Sequence, residues 1–323
     1  MANFFLVLWA VTPPLLLLIY YYRRVSTAPS LLRLLLFFVF GAISGFVALS
    51  LGWVVETHIN SFAAWREIRR TLVGVALRQV LVVGPIEEGC KMVAVLIPSW
   101  YFQRRYRLRP SSIFLFTIAV ALGFTAQENW IYLFHETASV FDRAIGTPVH
   151  AMFSAPWGYA LALFLQSKTQ LRRYTPNIPR SWFNSVICHA LVNFLSSSWR
   201  YPAPLFFLSY GLFPFFVWMF WRLEQLLRKV QEKAPIILIS GYTLRHRLWE
   251  QGLVVFALML GGNAIFGLFL LVRSFNSLSP SQVFYPGTLW LLLSRFLLNL
   301  IFGLVAWTIY CYLRYSARRR YFK

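Results

Sequence analysis

Of the ten acidic residues in the chain, three, Glu87, Glu88 and Glu128, sit in sequence that is otherwise apolar. A carboxylate at a bilayer centre costs about 2.5 to 3.5 kcal/mol on insertion scales, so such a group usually faces a bundle interior or water and marks function. In VVGPIEEGCKMVAVLIPSW, Lys91 follows Glu87 by four residues and Glu88 by three, so on a helix one ammonium approaches both carboxylates. Adjacent glutamates on a helix point about 100° apart. One can face a cavity while Lys91 or a neighbouring helix holds the other, and driving two carboxyls into different environments is what acid/base or water-activating chemistry requires. The plainer reading is a structural Glu-Lys pair that neutralises itself inside a bundle.

Further polar residues follow in apolar surroundings. FLFTIAVALGFTAQENWIYLF carries Glu128 and Asn129, HAMFSAPWGYALALF carries His150 with Ser154 four residues on, and VICHALVNFLSS carries His189 with Asn193 four on. Residues four apart share a helix face, so Ser154 and Asn193 are placed to orient the histidines or a substrate. A metal-free site would use a glutamate to deprotonate water and a histidine or Asn193 to donate to the oxyanion. A metal site would take His150, His189 and Glu128 as a two-His, one-carboxylate zinc set with Glu87 or Glu88 as base. No H-E-x-x-H run is present, and both versions stay open. Ser154, Ser185 and the three cysteines are the other candidate nucleophiles, and for Ser154 the spacing shows no Ser-His-acid arrangement.

The elements that must position these residues are membrane helices. The 323 residues are 59% AVILMFWYC, 19% aromatic and only 13% charged, against about 25% charged in soluble domains. This excludes a soluble globular enzyme and a disordered chain. Apolar stretches near 3-22, 34-55, 85-102, 111-134, 147-166, 182-199, 203-221, 252-272 and 287-313 predict nine spans in an all-α polytopic bundle. Most of the 31 Lys and Arg then fall in alternate loops (Arg104 to Arg109; Lys168, Arg172, Arg173 and Arg180; Arg222 to Arg247; Arg314 to Lys323). That bias puts the N-terminus outside and the C-terminus inside, and it explains the net charge of +21 without nucleic acid. Cys90, Cys188 and Cys311 do not make a disulfide framework. The first span lacks a basic n-region and is followed by Arg23 and Arg24, the reverse of a signal peptide, so it is expected to stay attached. Residues 64-84 read as an interfacial helix broken at Gly84-Pro85, or else as the start of one long helix from 71 to 102. The chain divides into a two-span segment 1-60, a motif-bearing core 61-221, a basic cytoplasmic loop 222-251 and a two-span segment 252-323 with a basic tail. In this topology the site residues all fall in the outer half of spans three to six, with Glu128 about 9 Å short of the outer end.

EEGCK at Glu87, Glu88 and Lys91, GFTAQEN from Gly123 to Asn129, HAMFSAPWG from His150 to Gly158 and CHALVNF from Cys188 to Phe194 resemble the PrsW family of polytopic membrane proteases. That family is related to the CAAX-processing and bacteriocin-immunity-type group, and Lys91 and Glu128 fit its PrsW branch better than the CAAX branch. The resemblance covers the middle of the chain. It implies peptide-bond hydrolysis of a membrane protein or peptide in or near a bacterial cytoplasmic membrane, and a first cut in an anti-sigma factor followed by a second protease. It also implies Glu87 and Glu88 as a water-activating pair, with Glu128, His150 and His189 as the other site polars and Lys91, Asn129, Ser154 and Asn193 in support. Such families are described both as glutamic and as metal-dependent. The competing readings are an ion- or proton-coupled transporter, weakened by the absence of an inverted repeat, and a non-catalytic membrane scaffold.

Overall fold

A computed structural model describes residues 2-167, 177-276 and 278-321, so Lys168, Arg172 and Arg173 of the expected cytoplasmic loop lie outside the described residues. The described chain is helical: α1 (Ala2–Arg24), α2 (Leu31–Ile59), α3 (Ala63–Ile68), α4 (Leu72–Arg78), α5 (Gly84–Tyr106), α6 (Pro110–Phe134), α7 (Val140–Gly146), α8 (Val149–Ser167), α9 (Ile178–Ser198), α10 (Leu212–Val230), α11 (Leu244–Asn276), α12 (Pro280–Val283) and α13 (Pro286–Tyr321). Among the described residues, six helical segments are long and apolar enough to cross a membrane: Phe4–Arg24, Leu31–Ile59, Pro110–Phe134, Leu205–Val230, Leu244–Phe275 and Pro286–Arg320. The chain is an integral membrane protein of the all-α class. The other three stretches expected to span coincide with α5, α8 and α9, of 23, 19 and 21 residues. These helices carry Glu87, Glu88, Lys91, His150, Ser154, His189 and Asn193, and that polar content lowers their hydropathy.

The chain forms two compact units, and the first comprises residues 1-197 and 222-234. Its centre is α6. Pro110 opens the helix at its first turn, where a missing N–H costs nothing. Beyond it Ile113 to Phe116 and Ile118 to Leu122 are fully buried on every side, as an all-round apolar helix must be. α1, α2, α5 and α8 surround it. α2 crosses α6 where both helices have glycine: a Cβ on Gly41 would sit 2.1 Å from the Val120 carbonyl oxygen, and one on Gly123 1.8 Å from that of Phe38. Phe37 stacks on Phe116 beside this crossing, with centroids 3.9 Å apart.

The break expected at Gly84-Pro85 does not occur. α4 continues through a five-residue π-helical segment, Gln79–Val83, directly into α5, closer to the long-helix reading. Pro85 cannot donate to the turn before it and its ring would crowd the preceding carbonyls. A wider turn, closed by the Gly84 N–H on the Gln79 carbonyl, relieves that crowding without ending the helix.

The second unit comprises residues 198-221 and 235-323. In it α11 and α13 pack side by side, and the Gly262 backbone lies against Pro214 of α10. Trp290, Leu298, Leu304 and Trp307 of α13 and Val255 and Phe256 of α11 remain largely exposed, as lipid-facing residues do. The expected basic loop 222-251 is largely helical, because α10 runs on to Val230 and α11 begins at Leu244. Glu250 is buried there, accepting from the backbone N–H of Ser240 at 2.6 Å and of Gly241 at 2.8 Å and from Arg320 at 2.8 Å.

Candidate active site

Four helices of the first unit bring the polar residues together. α5 presents Glu87, Glu88 and Lys91 from its first turns, α6 presents Phe124, Glu128 and Asn129 from its last turns, α8 presents His150 and Ser154, and α9 presents His189 and Asn193. On α8, His150, Ser154 and Trp157 fall at i, i+4 and i+7, one face of the helix.

Glu88 is wholly buried, and both its oxygens are occupied. Oε1 accepts from Lys91 Nζ at 2.8 Å, and Oε2 accepts from Ser154 Oγ at 3.0 Å and Trp157 Nε1 at 2.9 Å. Glu87 is different. Its Oε2 makes no hydrogen bond, lies 3.6 Å from Lys91 Nζ and 3.8 Å from His189 Nε2, and its side chain keeps 17% of its surface exposed. Two adjacent carboxylates therefore occupy contrasting environments: one wholly enclosed with both oxygens bonded, the other with a buried, unbonded oxygen on a side chain that is partly exposed.

Lys91 sits among them. Its ammonium, also fully buried, donates to Glu88 and lies 2.9 Å from His150 Nδ1, with the Phe124 ring face 4.0 Å away. An ammonium only donates and a carboxylate only accepts. His150 must then accept at Nδ1 and donate from Nε2 to Glu128 Oε2 at 2.9 Å, which makes it the neutral Nε2–H tautomer with neither nitrogen to spare. The same Glu128 oxygen accepts from Arg143 of α7 at 2.5 Å. His189 is 2% exposed, its ring is stacked on Phe153 at 4.5 Å, and its Nδ1 lies 3.5 Å from Glu88 Oε1 without a hydrogen bond. Three carboxylates thus face two cations, and the negative charge left over falls to Glu87, the least paired of the three.

The supporting residues divide. Ser154 holds Glu88. Asn193 donates to Gln79 Oε1 at 2.9 Å, tying α9 to the π-helical segment below Glu87, while Asn129 donates to the Ala10 carbonyl of α1 at 3.3 Å and accepts from Arg143 Nε at 2.7 Å. Four contributors escape a reading of the sequence alone. Trp157 was within reach, since it continues the His150 and Ser154 face. Gln79, Phe153 and Arg143 carried no signal, because their partners lie on other helices.

Residues 29–219, more than half of the chain, match the family described as PrsW family intramembrane metalloprotease. The chain belongs to the PrsW family. The PrsW match takes in all of the site residues above. The chain is 29% identical over 152 residues to a protein of Clostridioides difficile (strain 630) named Protease PrsW, covering 45% of this chain and 60% of that protein's length. It is 25% identical over 156 residues to a Protease PrsW of Shouchella clausii (strain KSM-K16), covering 46% of this chain and 68% of that protein. No solved structure matches.

The PrsW description implies a metal, and the residues present can be tested for one. The His150, His189 and Glu128 set does not assemble as three ligands: both His150 nitrogens and the facing Glu128 oxygen are committed to one another, to Lys91 and to Arg143. Glu88 is saturated as well. Of the fully buried oxygen and nitrogen atoms of these carboxylates and imidazoles, Glu87 Oε2 and His189 Nδ1 are the ones left without a hydrogen bond, two where hydrolytic zinc takes three ligands from the protein. Among the described residues no group of three or more His, Cys, Asp or Glu is arranged to hold a metal ion. The arrangement in this PrsW chain does not fit one, with a lysine ammonium at its centre instead.

Proposed function

We propose that this chain is a membrane-embedded peptidase that hydrolyses a membrane-associated protein substrate near the outer leaflet of a bacterial cytoplasmic membrane. In this reading nine spans place the N-terminus outside and the C-terminus inside, and the cut opens a regulated proteolytic sequence that a second protease continues. The names of the relatives support peptidase activity. The observation that carries the assignment within the site is Glu87, an unbonded carboxylate oxygen set beside a buried unbonded imidazole and next to a saturated carboxylate.

Glu87 takes a proton from water as the water attacks the scissile carbonyl, and returns that proton to the leaving amine. An N–H of His189, its ring held by Phe153, donates to the oxyanion. Lys91 and Glu88 hold their charges fixed during these steps, so the field at Glu87 is set before substrate arrives. His150 and Glu128 keep Lys91 in that position.

The test uses tagged single-span membrane proteins of the same cell with the wild type, Glu87→Gln and Glu88→Gln, each with and without a strong chelator. The expected result is a product band with the wild type in both lanes and none with Glu87→Gln at equal protein level. A band lost with the chelator assigns the chemistry to a metal. Cleavage by Glu87→Gln equal to the wild type would leave the polar chain structural or ion-conducting, and the transporter reading would take over.

A further inference from the structure

Arg143 lies outside every motif of the chain, in the short helix α7 that joins the ends of α6 and α8. All three of its side-chain partners are on the last turns of α6. Nε donates to Asn129 Oδ1 at 2.7 Å, Nη2 donates to Glu128 Oε2 at 2.5 Å, and the guanidinium lies 4.4 Å from the centroid of the Tyr132 ring. Asn129 cannot swing away, because its Nδ2 is spent on the Ala10 carbonyl of α1. The fork of an arginine spans two acceptors in a fixed geometry, which a lysine head cannot do.

The oxygen that Arg143 grips is the one that accepts from His150 Nε2. An oxygen held from two directions fixes the carboxylate, the carboxylate fixes the imidazole, and the imidazole's other nitrogen receives Lys91. Arg143, Glu128, His150, Lys91 and Glu88 therefore form one continuous chain of charge-assisted hydrogen bonds from α7 to the buried carboxylate of α5. A merely structural tie of α7 to α6 would not need to engage the atom that orients His150.

We propose that Arg143 is a positioning residue of the hydrolytic site: acting through Glu128, it holds His150 and Lys91 in register for turnover without touching substrate. This rests on the peptidase reading above. Arg143 reaches Glu87 through Glu128, His150 and Lys91, and outer partners that hold working groups in place are worth about 10- to 100-fold in activity.

The experiment is steady-state cleavage of a single-span substrate by the full chain in liposomes, for the wild type, R143Q, R143K, E128Q and the R143K/E128Q double variant, with E87Q alongside. R143Q is expected to lower kcat by about 10- to 100-fold while KM moves by less than about threefold. R143K is expected to recover part of that loss. The double variant should cut no more slowly than E128Q alone, since Arg143 acts only through that carboxylate. An R143Q enzyme with wild-type kcat, or one whose loss is confined to KM, overturns the proposal, the second outcome making Arg143 a substrate contact. Multiplying losses in the double variant overturn it too, and this cycle on the milder R143K decides the matter if R143Q does not fold. Inactive E87Q beside normal R143Q refutes the Arg143 role alone, whereas fully active E87Q refutes the peptidase reading beneath it.

Discussion

Glu87 and Glu88 are neighbours in sequence with opposite physical situations, and substitution should separate them. Glu88 and Lys91 are both wholly buried and bonded at 2.8 Å. Removing one partner of a buried ion pair leaves an uncompensated charge at a cost of about 3 to 5 kcal/mol. Glu88→Gln should therefore lower the thermal unfolding temperature in mild detergent and reduce the folded yield. Glu87→Gln removes no hydrogen bond from its Oε2 and only the longer 3.6 Å contact with Lys91, so it should unfold at a higher temperature than Glu88→Gln while losing turnover. Equal unfolding midpoints for the two variants would contradict the division of roles drawn here. Trp157 and Ser154 belong to the same account, because their donors fill the second oxygen of Glu88 while Lys91 holds the first.

In the first unit helices meet closely where side chains are absent. The crossing of α2 and α6 is the clearest case, and α6 carries Glu128 into the site from there. A leucine at Gly41 would drive its Cβ into the Val120 carbonyl, a backbone atom that cannot yield, whereas Gly52 on the same helix has open space around it. Gly41→Leu is expected to abolish accumulation of folded protein in membranes, and Gly52→Leu to leave it unchanged, as judged by detergent extraction and size-exclusion chromatography. Similar profiles for the two would show that the crossing does not hold the core. The π-helical segment is the other element with a positional task. It carries the turn past Pro85, and through Gln79 and Asn193 it connects the base of α5 to α9, the helix that supplies His189.

For the molecule as a whole, the number of crossings decides which side the site faces. Nine spans from an outside N-terminus place the short connection between α11 and α13 outside, while six spans from the same start place it in the cytoplasm. A cysteine at Ser279, an exposed position of that connection, in a chain with Cys90, Cys188 and Cys311 replaced, should be labelled by a membrane-impermeant reagent from the outer face. Labelling from the cytoplasmic face alone removes the nine-span topology. The basic side chains at the ends of α10, α11 and α13 are those expected to resist translocation. Two of the carboxylates among them are tied down rather than free: Glu224 takes a two-pronged bond from Arg24 of α1, with both distances 2.6 Å, and Glu250 closes the turn at Ser240 and Gly241.

Much of this was legible in the chain before folding, for a physical reason. Membrane residence follows from composition, and the pairing of Lys91 with Glu87 and Glu88 follows from helical spacing, because both depend only on local chemistry and on 3.6 residues per turn. The family motifs, from the double glutamate to the second histidine, are local in the same sense. Spacing along one helix could not say which glutamate is saturated, since the deciding donors, Ser154 and Trp157, come from α8 some 70 residues away. Nor could it say that His150 is committed at both nitrogens, that Arg143 reaches back to Glu128 from a connecting helix, or that Pro85 is absorbed in a widened turn rather than ending a helix. Those outcomes depend on which helices lie within hydrogen-bonding distance of one another, and only the tertiary structure decides that.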